Sequence, residues 1–308
     1  MPQPWTAEIV LTEKEAEGLI LSQFPQLSPI TIKLIGKGFD NTVFKVNNQY
    51  VFRFPRREVG HELLEIENML LPAIVATASM AIPKPIFFGH PSENYPWSFT
   101  GYRLVEGITP STVNHDDRLK SVERLAEFLK VLHSIPINLA EGLGVPYDTL
   151  ERLSIKKRKE QLKNYVQKAV GNQLIAQVEL LTKYVDSLEQ IETAGPLVLV
   201  HGDLHIRNLL LNSQNEVSGI IDWGDTHIGN PAVDLSIAYS FIPNSGRGLF
   251  FEKYGQVKGE TKKLARFKAI YTAVLLLVYG HDLQDGEIVK AAQESIHTAL
   301  EGWESSLS

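Results

Sequence analysis

From Ile30 onward, β-branched and aromatic positions alternate with polar ones through ITIKLIGKGFDNTVFKVNNQYVFRFP. A period of two is the signature of half-buried strands, so residues 30–54 predict a small antiparallel sheet. Asn47-Asn48, between KV and YVFRF, marks a tight hairpin. A short acidic helix from about Thr12 to Phe24 precedes the sheet, a helical pattern covers 58–75, and the strand-like FTGYRLVEG follows at 99–107. From about 117 the period lengthens: Leu125, Phe128, Leu129 and Leu132 recur at helical spacing and the pattern stops at Ile135-Pro136. Further helix is expected over 150–192 and 260–308, with short β-rich runs, PLVLV and VSGII, between 196 and 222. The expected architecture is α+β and bilobal. A β-rich N-terminal lobe (1–104) and a mostly helical C-terminal lobe (111–308) would be joined by a linker at 105–110, with a cleft suited to a nucleotide.

Composition narrows the partners. At 308 residues the chain exceeds the usual single domain of roughly 100 to 200 residues, which agrees with two lobes. With 36 acidic against 30 basic residues, the formal charge of -6 weighs against a nucleic-acid partner and permits a cationic ligand. The absence of cysteine excludes disulfides, thiolate nucleophiles and cysteine-bound zinc, and fits a reducing compartment. The N-terminal stretch has no basic segment followed by an apolar one, and the longest apolar runs, such as Ala273–Tyr279, are far short of a membrane span of ~20 residues. No membrane partner, a cytoplasmic location and a monomer or weak dimer are expected.

The chemistry concentrates in HGDLHIRNLLLNSQNEVSGIIDWGD, residues 201–225. Apolar Val198–Val200 delivers Asp203 to the mouth of a buried element, Asn208 follows five residues later, and Asp222 comes directly after a second strand-like run. Singly these are ordinary turn, cap and Asx-turn residues. Jointly they supply what phosphoryl transfer needs: a carboxylate, Asp203, to orient and deprotonate a hydroxyl, and hard oxygens on Asn208 and Asp222 for Mg²⁺ on nucleotide phosphates. Gly36 and Gly38, between strand-like runs, would let backbone N–H groups approach a phosphate. His205 reads as a hydrogen-bonded loop histidine, Trp97 and Trp223 as packing, and the acidic runs Glu13–Glu17 and Asp282–Glu287 as solvated surface, the latter with a cationic substrate's pocket as the alternative.

The HGD, the Asn five residues on, and a strand followed by DWG resemble the protein-kinase catalytic loop and metal motif, and the spelling HGDLH…N…IDWGD resembles the aminoglycoside phosphotransferase family. The likeness extends to GKGFDNTVFKV, VFRFPR, ENMLLPAI, NYPWSFTGYRLVEG and GNPAVDLSIAYSF, and so spans most of 30–241. It implies a protein-kinase-like fold, Asp203 as catalytic base, and Asn208 and Asp222 as metal ligands. It further implies a cation at Arg207 beside the transferred phosphoryl group, and structural roles for His201 and Asp234. Asn41 stands where protein kinases have the third glycine, and Phe39–Thr42 would close over the triphosphate. Arg53 takes the position of the phosphate-pairing strand lysine; Glu67, or alternatively Glu65, would be its partner. These two acids point about 200° apart on a helix, so only one can serve. The nucleotide base would lie against the linker from Leu104 through Glu106 to Gly107. The implied activity is ATP- or GTP-dependent transfer to a hydroxyl of a small molecule. An aminoglycoside-type antibiotic leads; macrolides, choline, homoserine-like compounds and sugars are alternatives, and a nucleotide-binding pseudokinase is the rival of another class.

Overall fold

The computed structural model describes residues 7–38, 40–110, 113–192 and 195–303. Helix α1 (Glu13–Gln23) starts at a reciprocal cap: the Thr12 hydroxyl accepts from the Glu15 N–H at 3.3 Å, and the Glu15 carboxylate accepts from the Thr12 N–H at 2.8 Å. The alternating segment folds as β1 (Ile32–Lys37), β2 (Asn41–Val46) and β3 (Tyr50–Pro55). Asn47 and Asn48, at φ 51° and 53°, are the central residues of a turn closed by the Gln49 N–H on the Val46 carbonyl at 3.1 Å. Two left-handed residues in that position match the right-handed twist of the flanking strands. After α2 (Glu58–Ile74) come β4 (Lys84–Gly89) and β5 (Phe99–Arg103), completing an antiparallel sheet of order β1-β2-β3-β5-β4. The β4 strand has no sequence-level expectation behind it. It is an edge strand carrying Pro85, with Ile86 and Phe88 turned to solvent, so the usual alternation is hidden. Phe44, Phe52, Phe54 and Phe99 pack with Leu19 and Ile20 of α1 to form the core of this first unit, residues 1–77 and 81–105.

The second unit comprises 78–80 and 106–308. Its first helices are α3 (His115–Lys120), α4 (Val122–His133), α5 (Ile137–Gly142), α6 (Ile155–Gly171) and α7 (Val178–Asp186). Asn114 caps α3 by accepting from the Asp117 N–H at 2.8 Å, and the Leu125, Phe128, Leu129 and Leu132 stripe of α4 is fully buried, as its spacing requires. Four short strands follow, β6 (Val198–Val200), β7 (Leu209–Leu211), β8 (Val217–Ile220) and β9 (His227–Gly229), and then helices α8 (Ala232–Leu235), α9 (Ile237–Ser240), α10 (Asn244–Tyr254), α11 (Gly259–Asp282) and α12 (Gly286–Leu300). The two β-rich runs do not pair with each other: β6 pairs with β9, and β7, a strand with no sequence-level expectation behind it, pairs with β8. Gly107 (φ 136°) lies against β7: a Cβ there would lie 2.9 Å from the Leu211 carbonyl oxygen, and Ile108 exchanges two backbone hydrogen bonds with Leu211. Helix α11 packs against α12, α6, α8 and α9. Among the described residues no helix is long and apolar enough to cross a membrane.

Candidate active site

The chain leaves β6 into a loop held from below by one carboxylate. Asp234, fully buried on α8, accepts the His201 N–H at 2.7 Å and the Gly202 N–H at 3.0 Å, one on each oxygen. Burial works to raise the Asp234 carboxyl, but the His133 hydrogen bond and charge, His201, and the Gly202 N–H outweigh it and hold it below the ordinary range. His133 Nε2 lies 3.1 Å from Asp234, and His133 Nδ1 lies 2.8 Å from the Tyr254 hydroxyl. Gly202, at φ 90°, lets the Asp225 carbonyl come so close that an added Cβ would stand 2.0 Å from its oxygen. The His201 ring accepts the Asp203 N–H on Nδ1 at 3.3 Å, so Nε2 carries the proton and donates to the Ile221 carbonyl at 3.1 Å. Trp223 is buried with its ring edge-on to His201 at 4.8 Å and to Phe128 at 6.2 Å, a packing role.

Asp203 emerges from this loop with a third of its side chain exposed. His205 Nδ1 accepts from the Arg207 N–H at 3.2 Å, which leaves the ring proton on Nε2, 3.3 Å from Asp203 Oδ2. Burial would raise the Asp203 carboxyl; the electrostatic pull and hydrogen bond of His205, then Lys268 and His201, lower it more, so it stays ionised far below neutrality. The Asn208 side-chain N–H donates to the Asp203 carbonyl at 2.8 Å, which fixes the amide orientation and leaves Oδ1 as the atom it presents. The Ile221 N–H donates to the Asn208 carbonyl at 3.0 Å, tying this loop to the backbone beside Asp222. Asp222 itself sits at φ 65°, a conformation that a non-glycine residue adopts at a cost. Arg207 is half-buried, and its guanidinium has no hydrogen bond or ion pair to the described residues. Asn208 Oδ1 and the Asp222 carboxylate are hard oxygen donors of the type that Mg²⁺ prefers. That ion takes one or two protein oxygens and completes its shell with phosphates and water.

Further groups reach this loop that spacing gave no sign of. Arg152 donates to Asp148 and to Asp225, both at 2.8 Å, joining residues 73 apart in the second case. Burial and then the nearby Asp203 charge raise the Asp225 carboxyl. Lys268, half-buried on α11, interacts electrostatically with Asp203, Asp225 and Asp234; burial pulls its ammonium below the ordinary range.

The first unit has its own polar cluster. Arg53 on β3 donates to both oxygens of Glu67 on α2, at 2.8 and 3.0 Å, and the Glu67 carboxylate is buried. Glu65 faces the other way, more than half exposed and 4.0 Å from His61. Between β1 and β2, the Gly38 N–H donates to the Asn41 carbonyl at 2.9 Å, and Arg56 donates to the Gly38 carbonyl at 2.6 Å. A Cβ on Gly36 or Gly38 would meet nothing closer than 3.7 Å, so no atom of the described chain requires glycine at either position. Asn41 is buried and its Oδ1 has no partner among the described residues. Phe39 lies outside the described residues. Leu104 donates its N–H to the Gln49 carbonyl at 2.8 Å, leaving its own carbonyl to offer, while Glu106, in the second unit, is exposed.

Against known proteins, residues 31–269 match the model of the APH phosphotransferase enzyme family. The chain is similar in structure to the GDP complex of wild-type aminoglycoside 2'-phosphotransferase-IIIa, with a TM-score of 0.67 and 26% identity, covering 94% of this chain and 99% of that one. The GDP and kanamycin complex of APH(2")-IIia gives 0.65 and 26%, covering 92% and 97%. Macrolide 2'-phosphotransferase type I, at 0.55 and 19% over 94% and 98%, shares the fold. Among curated proteins, uncharacterized protein YcbJ of Bacillus subtilis (strain 168) is 30% identical over 61 residues, a match that spans only 20% of either chain.

Proposed function

The chain belongs to the APH phosphotransferase enzyme family and has its kinase-like α+β fold, and from that premise we propose that it transfers the γ-phosphoryl group of a nucleoside triphosphate to a hydroxyl of a small molecule. The observation that carries this reading is the Asp203 loop: an ionised, partly exposed carboxylate faced by the His205 Nε2 proton and tied through Asn208 to the backbone at Asp222. Asp203 orients the acceptor hydroxyl and takes its proton as the new O–P bond forms and the bond to the β–γ bridging oxygen breaks, releasing a nucleoside diphosphate. Asn208 Oδ1 and the Asp222 carboxylate would hold Mg²⁺, whose charge, when bound, offsets that of the β- and γ-phosphates. Arg207, with its guanidinium uncommitted, offsets charge on the transferred group. In the first unit, Arg53 braced by Glu67 receives the α- and β-phosphates. The space left bare at Gly36 and Gly38, with Asn41 beside them, supports a triphosphate approach. The base lies against Leu104 in this reading. GDP in two similar structures and ATP in a third, the streptomycin-ATP-APH(2")-IIa complex, support a purine nucleotide donor, ATP or GTP.

Kanamycin in one similar structure supports an aminoglycoside-type acceptor, with antibiotic resistance as its consequence, through likeness alone. Two acids of the run that could line a pocket for amines have partners of their own. Asp282 is paired with Lys168 at 2.8 Å, and Asp285 caps α12 by accepting the Glu287 and Ile288 N–H groups. The test of the phosphotransfer reading is Asp203→Asn. Acceptor-dependent release of nucleoside diphosphate should fall by about 10²- to 10⁴-fold while Mg²⁺-dependent nucleotide binding persists. Turnover equal to wild type would sink it.

A further inference from the structure

Asp222, on the loop between β8 and β9, keeps a φ of 65°, a conformation that persists at a non-glycine residue only where its surroundings impose it. Three residues on, Asp225 is held at three points. Its side chain accepts from Arg152 at 2.8 Å and its carbonyl accepts from His227 Nδ1 at 2.7 Å. That carbonyl also presses on the catalytic loop, where a Cβ on Gly202 would stand 2.0 Å from its oxygen. The His227 ring has no room to turn away: a Cβ on Gly202 would lie 2.9 Å from Nδ1, and one on Gly229 would lie 2.8 Å from Cδ2. Its Nε2 is buried without a partner among the described residues, so the hydrogen bond this ring makes there is the one to Asp225.

Arg152 is anchored in its turn. Its guanidinium donates to Asp148 Oδ1 at 2.8 Å and its backbone N–H to Asp148 Oδ2 at 2.9 Å. The Asp148 N–H donates to the Ile228 carbonyl at 3.0 Å and the Ile228 N–H to the Pro146 carbonyl at 2.7 Å, so residues 146–148 run beside β9. Arg152 thus spans from that fixed segment to the loop that carries Asp222. Its side chain is 14% exposed, whereas that of Asp225 is 51% exposed. A bridge with one end in solvent adds little to overall stability, because water screens it. Its effect is to take freedom from the loop, in which the Thr226 N–H and hydroxyl close the turn after Asp222 on the Trp223 carbonyl, at 3.2 and 2.6 Å.

Building on the phosphotransfer reading, we propose that Arg152 is a positioning residue for the metal: by tying Asp225 to Asp148 it holds the loop in the conformation that presents the Asp222 carboxylate, and so strengthens Mg²⁺ binding to the nucleotide complex. Charge alone predicts the opposite sign. A cation near a cation's site weakens it by repulsion, so an Arg152 that acted only through its charge would, when removed, leave the metal more tightly bound.

The experiment follows the rise in melting temperature given by a non-hydrolysable ATP analogue as Mg²⁺ is titrated, a readout of binding that needs no turnover. Arg152→Met and Asp225→Ala should each raise the Mg²⁺ concentration at half-maximal rise by about 10-fold or more, as removal of a group that orients a metal's ligand does. The double variant should do no more than either alone, because both break one tie. Asp225→Asn keeps the oxygen that accepts from Arg152 and should stay near wild type. Asp225→Ala leaves the pair of Arg152 with Asp148 intact, so its ligand-free melting temperature and its rise in a chelator should match wild type; if Arg152→Met does not fold, the two Asp225 variants decide. An unchanged or lower Mg²⁺ midpoint in Arg152→Met overturns the inference, as do an Asp225→Asn as weak as Asp225→Ala and additive effects in the double variant. So does an Asp225→Ala whose ligand-free melting temperature falls, since the bridge would then serve the fold. All of these leave the phosphotransfer reading standing, whereas a wild type whose rise ignores Mg²⁺ removes both.

Discussion

Two kinds of glycine flank the chemistry, and they answer to different demands. At Gly202 the chain itself sets the requirement: φ is 90°, and a methyl group would stand 2.0 Å from the Asp225 carbonyl oxygen. At Gly36 the nearest atom to an added Cβ is the Val43 Cβ, 3.8 Å away, an ordinary van der Waals contact. Gly202→Ala should therefore lose about 3 kcal/mol or more in chemical denaturation, because the carbonyl of a clamped loop cannot retreat. Gly36→Ala should keep its stability within about 1 kcal/mol and raise the KM for the nucleotide. If both variants melted alike and bound nucleotide alike, the distinction between a glycine kept for the fold and one kept for a ligand would fail. Asp203, Asn208 and Asp222 are legible at this scale because a short stretch of chain fixes their spacing. Arg152 is not, since nothing near it in the chain marks it as the partner of Asp225, 73 residues away.

A four-residue helix such as α8 has no stability of its own, because nucleating a helix costs more than one turn returns. Its value lies in where packing against α11 holds Asp234. The three-residue strand β6 likewise stands only as part of its ladder with β9, and between these two fragments the HGD loop is fixed by two backbone N–H bonds to one carboxylate. Asp234→Asn preserves the volume but turns one acceptor into a donor facing an N–H. It should cost about 2–3 kcal/mol by denaturant titration and lower diphosphate release. An unchanged midpoint would mean that the loop is held by other contacts. Asp234 could be assigned a structural role from its place in GNPAVDL, whereas the pairing of β6 with β9 and of β7 with β8 could not be read from the sequence. Strands of three or four apolar residues carry too little pattern to name their partners.

For the whole molecule, the phosphotransfer reading makes folding and ligand binding one equilibrium. A nucleotide at about a hundred times its Kd should stabilise the native state by ~2.7 kcal/mol, seen as a rise in melting temperature. With Mg²⁺ held by Asp222, that rise should depend on the metal in wild type and lose its metal dependence in Asp222→Ala. An equal rise in the presence of a chelator would argue against Asn208 and Asp222 as the metal's ligands. By itself the sequence determined the alternating strands from Ile32 to Pro55, the buried stripe of α4, the catalytic-loop spacing, and with it the family to which the chain belongs. It narrowed the partner of Arg53 to two acids, and helix periodicity, which turns Glu65 outward and Glu67 inward, is the physical reason that one of them won. Tertiary structure alone decided which short strands pair, that Asp282 of the acidic run is paired with Lys168, and that Arg152 joins Asp148 to Asp225. Local periodicity records which face of an element is buried. What that face meets is set by the packing of segments far apart in the chain, for which no local pattern exists.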